Sequence, residues 1–353
     1  MKYTEKTLFV LSICEFSING KNAISGHRDF SNADFYKLAS MRDFNKFQIE
    51  CEKKINDIDK FYRLKDDIKR ILDQNYDDNC DYEPVLEKDK YNALRALTES
   101  ADGVISAFDH EFPQIYTTVK KDTDKPYLLF YKGDISLLKN IEKNIAVIGL
   151  LNPENNIIAR ETIAVRKLVE CGMNIVSGLA RGCDTIAHRV CLEANGKTIA
   201  ILPSTLAQIF PAENRELACE IVDSGGLLVS EYYKKPASRF ESTKRFIDRD
   251  RLQAMFSKAI LLSASYNEGK GDSGSRHAMG KAEEYSLFRA MLYDENSDKD
   301  NLQFGLNKSY HDAQSAHVMT QSVLNEMIKY TVDHYESNIK HDWAQEQQLL
   351  LNL

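Results

Sequence analysis

The sequence predicts an α/β chain in which a doubly wound, mostly parallel sheet follows a helical N-terminal domain and precedes a short helical C-terminal tail. Two observations carry this expectation. From Asn144 onward, short unbroken apolar runs alternate with segments of helical spacing, and strands without polar alternation belong to sheets covered on both faces. Before residue 106 the apolar positions instead fall three or four apart, as they do on amphipathic helices. The expected divisions are 1–106, helical; 107–140, a connector; 141–311, the doubly wound body; and 312–353, the tail.

In chain order, Leu8 to Ile13 is an apolar run too short to span a membrane and closely followed by Glu15, so it reads as part of a buried helix. Ile55, Ile58, Phe61, Leu64, Ile68 and Leu72 form one stripe, the mark of a long amphipathic helix, and Lys88 to Glu99 resumes that spacing after a polar loop from Asn75 to Tyr82. Phe112-Pro113 and Lys125-Pro126 punctuate the connector, and Tyr127 to Tyr131 reads as a strand closed by Gly133. Strands are then expected at Ile145–Ile148, Met173–Ser177, Thr198–Leu202, Leu227–Ser230, Ala259–Leu262 and Leu287–Leu292. Helices are expected at Arg160–Glu170, Ile186–Glu193 and Asn214–Val222. This is a Rossmann-like alternation, whose ligands sit beyond the carboxyl ends of the strands. The loops at Gly149, Gly178, Pro203, Glu231 and Ser263 meet there.

Composition sets the outer bounds. A chain of 353 residues that is 43% hydrophobic and 28% charged is a soluble globular protein of about two domains. Its seven cysteines are scattered and never form C-x-x-C, which argues against a disulfide framework or a zinc site and for a reducing cytoplasm. The net charge of −7 excludes a uniformly basic coat but not a local basic groove.

Three stretches carry chemistry. In the first, Ser177, Gly178, Leu179, Ala180, Arg181 and Gly182 link a strand to a helix. The two glycines let backbone N–H groups approach a ligand, Asp184 is placed to cap the helix, and the helix start favours a phosphate. Neither the dinucleotide fingerprint nor the Walker sequence is present. In the second, Lys234 to Arg251 sets seven cations, Lys244, Arg245, Arg249 and Arg251 among them, against three carboxylates. Phe240 and Phe246 are interleaved with these cations, as in a groove for single-stranded nucleic acid. In the third, Ser273, Gly274 and Ser275 open a further helix and again suit an anion. His188 and His277 lie near these loops without paired carboxylates or a nucleophile beside them, so no catalyst, cofactor or metal is expected.

These motifs, in this order, resemble the DNA-processing protein A family (DprA, also called Smf), over about Phe112 to Tyr310. Asp109-His110-Glu111-Phe112-Pro113 is similar to the family's D-x-x-[FY]-P, and Pro126 to Gly133 to its P-x-x-L-[FY]-x-x-G. Ser177 to His188 matches S-G-L-A-R-G-x-D-x-x-A-H, and Phe210 to Leu217 resembles [YF]-P-x-x-N-x-x-L. Gly225 to Tyr232 resembles G-G-x-x-x-S-E-[YF], Phe246 to Arg251 sits where the family has F-P-x-R-N-R, and Ser273 to Ser275 where it has S-G-S. The resemblance implies an extended Rossmann-like fold that binds single-stranded DNA, dimerises, and helps load a RecA-like recombinase during DNA uptake. By position, phosphate contacts would fall on Ser177, Gly178, Arg181, Gly182, Arg249, Arg251 and Ser273 to Ser275, with a base near Phe246.

The departures are specific. Gly149-Leu150-Leu151 replaces G-[ST]-R and so lacks a phosphate-binding arginine, and Ile247 and Asp250 replace the Pro and Asn of F-P-x-R-N-R. Asp250 is placed to hold its neighbouring arginines in an ion pair. After Asp312 the spacing is helical, without the strand pair of a winged helix. A rival reading is a sensor or effector that binds a small nucleotide-derived ligand in the same crevice, and a third is a helical scaffold for a protein partner. The P-G-G-x-G-T-x-x-E run of nucleoside-monophosphate-cleaving relatives is missing, so no hydrolysis is expected.

Overall fold

The computed structural model describes residues 1–19, 32–39, 43–73 and 88–331. The expected loop at Asn75–Tyr82 and the tail beyond residue 331 lie outside the described residues. In chain order the elements are α1 (Glu5–Asn19), α2 (Asn32–Ala39), α3 (Phe44–Lys54), α4 (Ile58–Asp73), α5 (Lys88–Ser100), β1 (Gly103–Ser106), β2 (Leu128–Gly133), β3 (Asn144–Ile148), α6 (Asn155–Glu170), β4 (Asn174–Ser177), α7 (Cys183–Glu193), β5 (Thr198–Leu202), α8 (Arg215–Asp223), β6 (Leu227–Ser230), α9 (Arg239–Met255), β7 (Ala259–Leu262), α10 (Ser275–Glu284), β8 (Phe288–Met291), α11 (Glu295–Asp298), α12 (Gly305–Asp312) and β9 (His317–Val318). Contacts divide the chain into two compact units. One holds Met1–Ile135, Leu202–Ala218 and Leu227–Phe246; the other holds Ser136–Ile201, Cys219–Gly226 and the chain from Ile247. Most of the connector expected at 107–140 thus packs with the N-terminal helices, joined by segments that return later in the sequence.

In the first unit α1 is buried on all sides from Thr7 to Phe16, with Leu8, Phe9, Val10, Leu11 and Ile13 almost wholly inaccessible, which fits a core helix rather than an amphipathic one. Phe9 meets Phe44, Phe47 and Phe61 edge-on at 5.6–5.7 Å. The long helix expected from Ile55 to Leu72 is present as α4, but it begins three residues later, at Ile58. Asp57 accepts the N–H of Lys60 at 2.9 Å and starts α4 afresh, and Ile55 adopts an extended conformation at the end of α3. A local carboxylate that satisfies helix-start donors outcompetes continuation of the previous helix. Gly103–Ser106, expected within the helical domain, is a buried strand that pairs antiparallel with β2, and β2 pairs antiparallel with β6.

The second unit carries parallel strands in the order β5-β4-β3-β7-β8-β9. From β3 the chain builds outward through β4 and β5, then returns to the other side of β3 with β7. This reversal makes the gap beyond β3 and β7 a topological switch point, where such sheets bind ligands. Ile145, Val147, Ile175, Leu261 and Ala290 pack on one face with α6, α7 and the helical segment 321–331. Ala146, Ile148, Val176, Ile260 and Leu262, which alternate with them, are also buried, so both faces are covered as the unbroken apolar runs require.

One element is read from the sequence for its charge and rings alone, and one differs from expectation. Much of the charged segment Lys234–Arg251 is helix, as α9, because it contains no Gly or Pro from Arg239 to Met255 and its inward face is covered. His317–Val318 adds a two-residue parallel strand beside β8, after a point where only helix was expected.

Candidate functional site

Within the second unit, the loops after β3, β4 and β7 converge at the switch point. The N–H of Leu151 donates to Asp272 Oδ2 at 2.6 Å, that of Cys183 to the Leu150 carbonyl at 2.9 Å, and Ser275 Oγ to the Gly149 carbonyl at 3.1 Å. The Ser177–Gly182 loop and Ser273–Ser275 are therefore brought together, as the sequence predicts. The helices that follow, α7 and α10, begin at Gly182 and Gly274 without a side-chain cap, and an uncapped helix start favours an anion.

Local backbone explains the glycines. Gly182 has φ 68° and ψ −126°, a conformation restricted to glycine, and a Cβ there would lie 2.2 Å from the Leu150 carbonyl oxygen. A Cβ on Gly178 would lie 1.0 Å from Arg249 Nη1, so this glycine makes room for a guanidinium. Leu179 takes φ 57° with its side chain fully buried.

Asp184 does not cap α7. As the second residue of the helix its side chain tilts back toward the N-terminus, and its Oδ2 accepts the N–H groups of Gly178 at 3.1 Å and Ala180 at 3.3 Å. Arg249 Nη1 reaches the same oxygen at 3.3 Å. A carboxylate of the chain thus occupies loop donors that the sequence offered to a phosphate. Ser177 Oγ is likewise turned inward, donating to the Val147 carbonyl at 2.7 Å.

Arg249 is only 6% exposed. Its Nε lies 3.4 Å from Asp250 Oδ1, near enough for an ion pair without alignment for a hydrogen bond. With its amide turned to satisfy donors and acceptors, Gln253 accepts from the Gly178 N–H at 2.8 Å and from Arg249 at 3.1 Å, and donates to Asp250 at 3.3 Å. Burial pushes the Asp250 carboxyl up to about 7, with Arg249 pulling the other way and Asp184 and Asp272 adding to the rise. Arg251 is also buried and donates to the Asp248 carbonyl.

Two buried groups lie behind the loops: His188, which the sequence places near them, and Glu161, which it does not single out. Thr198 Oγ donates to the Ile175 carbonyl at 2.8 Å and therefore accepts from His188 Nδ1, 2.6 Å away. Nε2 is then the lone-pair nitrogen, without a hydrogen-bond partner among the described residues. Burial, and next the charge of Arg249, lower the imidazole to about 3. Glu161 is fully buried on α6, and burial pushes it up to about 8. The Cys183 thiol and Ser263 hydroxyl face it and offset part of the rise, but neither carboxyl oxygen has a full hydrogen bond among the described residues. Its signal in the sequence is its place on the apolar stripe Ile157, Glu161, Ala164, Val165, Leu168.

Lys244, Arg245 and Phe246 belong to the first unit. Arg245 is buried, donates to Glu241 at 2.7 Å and to the Lys234 carbonyl at 2.7 Å, and stacks over the Tyr232 ring at 4.0 Å. Lys244 is exposed. The Phe246 ring is half-buried and meets Phe210 edge-on at 5.7 Å. Among the motif cations, Arg181 and Lys244 are exposed while Arg245, Arg249 and Arg251 are engaged inside the protein. Among the described residues no cluster of His, Cys, Asp or Glu could hold a metal, and no helix is long and apolar enough to cross a membrane.

Comparison with known proteins gives a match to the family model for DNA recombination-mediator protein A over residues 103–328. Protein Smf of Escherichia coli is 34% identical over 161 residues, covering 44% of this chain and 39% of the relative. The matched segments span between 37% and 45% of the length of the first curated relatives. Of solved structures, DNA processing protein A from Helicobacter pylori, described for its mode of binding single-stranded DNA, is 25% identical. It superposes with a TM-score of 0.52 over 62% of this chain and 93% of its own. DNA processing protein A from Streptococcus pneumoniae, 23% identical with a TM-score of 0.54 over 92% of this chain and 99% of its own, shares the fold.

Proposed function

The chain belongs to the DNA recombination-mediator protein A family, and on that premise we propose that it binds single-stranded DNA in DNA processing and recombination. One observation carries the reading: the family match includes all three loops at the switch point, where two uncapped helix starts lie beside exposed Arg181 and the Ser273–Ser275 turn. Phosphates are assigned to Arg181, Gly182 and Ser273 to Ser275, Arg249 is assigned to holding the loop, and Arg251 stays buried on α9. We infer binding chemistry rather than turnover, because His188 is sealed in the interior together with Thr198, the hydroxyl it meets. A homodimer and a RecA-like recombinase partner belong to the same proposal. A mass near one 40.3 kDa chain across a dilution series in light scattering overturns the first, and no effect on recombinase loading overturns the second. A reducing, cytoplasmic setting fits the thiols of Cys14, Cys51 and Cys191, each pushed up to about 12 by burial; a disulfide needed for folding, seen on a non-reducing gel, argues against it.

The test is salt-dependent binding of an unstructured oligomer of about thirty nucleotides. Each phosphate neutralised contributes about −0.7 to the slope of log affinity against log salt. With three motif arginines turned inward, about three to five contacts and a slope of roughly −2 to −3.5 are expected. Absence of binding at low salt, alongside saturable binding of a mononucleotide or dinucleotide, rejects DNA in favour of a small nucleotide ligand.

A further inference from the structure

Helix α9 carries the family's basic-aromatic motif, and its orientation redistributes what that motif presents. Successive residues turn by about 100°, so Arg245 and Arg249 share one side, and both are buried. The opposite side of the first turns holds Phe240, Thr243 and Lys244, all exposed. Phe240 is 80% exposed, more than any other large hydrophobic side chain among the described residues.

An isolated apolar side chain in water is ordinary, but three features set this ring apart. First, it stands on a fixed support. Ser238 Oγ accepts the N–H of Glu241 at 3.1 Å, and Glu241 Oε2 accepts the N–H of Ala237 at 2.7 Å, a reciprocal arrangement close to a capping box that pins the start of the helix. Glu241 also holds Arg245 at 2.7 Å, which locks the helix phase. Second, the ring is bracketed by exposed cations, with Lys235 and Arg239 before it and Lys244 one turn later. Neither Lys235 nor Arg239 has an ion-pair partner among the described residues. Third, Phe246, which the motif would assign to a base, is half-buried and already packs against Phe210.

We propose that Phe240 is a base-stacking residue for single-stranded nucleic acid, with Lys235 and Arg239 meeting the adjoining phosphates. The inference rests on the proposed function and adds to it a residue outside the family motif. A ring on a fixed helix start needs no backbone ordering to stack, and every base offers a π-face, so the contact is tolerant of sequence. The chemistry selects a polymer with bases and phosphates in alternation: an apolar protein surface would leave the cations unmatched, and free phosphate would leave the ring unused.

The experiment measures anisotropy of labelled oligothymidylate and of an abasic deoxyribose-phosphate oligomer of equal length, across a salt series, for the wild-type chain, Phe240→Ala, Phe240→Trp and Phe246→Ala. Phe240→Ala is expected to weaken oligothymidylate binding by roughly fivefold to a hundredfold, with the salt slope and abasic binding unchanged. Phe240→Trp is expected to restore or exceed wild-type affinity, and Phe246→Ala to cost less than Phe240→Ala. The ring is exposed, so thermal unfolding of these Phe240 variants should match the wild type. Equal binding of oligothymidylate by wild type and Phe240→Ala overturns the inference, as does an equal loss on both oligomers. A wild-type chain that binds neither oligomer overturns the proposed function itself, a result distinct from either of these.

Discussion

At the scale of single residues, the Ser177–Gly182 loop is shaped by what it must accommodate inside the protein. Gly178 exists in contact with Arg249, whose guanidinium is pinned by Asp184 and Gln253. Gly178→Ala therefore inserts a methyl group where the guanidinium lies, and the side chain cannot swing away without leaving the Asp184 carboxylate buried without its counter-charge, held only by the N–H groups of Gly178 and Ala180. The expected cost is about 1–3 kcal/mol of stability from overpacking alone, read as a lower urea midpoint. A variant as stable as the wild type would mean that Arg249 has another resting place. Asp184 teaches the same lesson. Its spacing after the second glycine suggests a cap, yet the helix begins at Cys183, so the carboxylate folds back onto the loop.

At the scale of elements, the turn after β3 is where this chain departs most clearly from its family. Leu151 stands where the family's pattern has arginine, and it is 44% exposed with its N–H held by Asp272. The backbone is thus already fixed and the side chain already faces outward. Leu151→Arg is expected to tighten single-stranded DNA binding and to steepen the salt slope by roughly 0.7, one further phosphate contact. An unchanged slope would place the DNA path away from the β3 turn. The exposure of the α9 side chains is hidden from the sequence for a related reason. Their charges and rings are evident, but the face that carries them inward or outward depends on the segments that pack against Arg245 and Arg249.

At the scale of the whole molecule, two raised carboxyls link stability to pH. Asp250 and Glu161 have folded-state values of about 7 and about 8, above their ordinary 3.8 and 4.5. Their favourable contribution is complete below the unfolded values and is lost as pH rises through the folded ones. His188 runs the other way: lowered to about 3 from 6.5, its contribution is present above the unfolded value and is lost as pH falls toward the folded one. The urea midpoint is therefore expected to decline from about pH 5 to about pH 8, most steeply above about pH 6.5 where His188 no longer offsets the carboxyls, and to level off beyond, and Glu161→Gln should flatten the upper part of that decline. A wild-type midpoint constant over this range would show that water reaches both carboxyls. What the sequence by itself determined is the strand and helix alternation, the three converging loops and the family, because each is written in neighbouring residues: unbroken apolar runs, glycines at fixed spacing, motifs in order. What only the tertiary structure decided is the direction and ionisation of the charged groups. Arg245, Arg249 and Arg251 turn inward, Asp184 takes the loop donors, and Glu161 is buried beside Cys183 and Ser263. Charge is a property of the residue, but its availability depends on burial and on partners far along the chain, sixty-five residues apart for Asp184 and Arg249, and no local spacing encodes that distance.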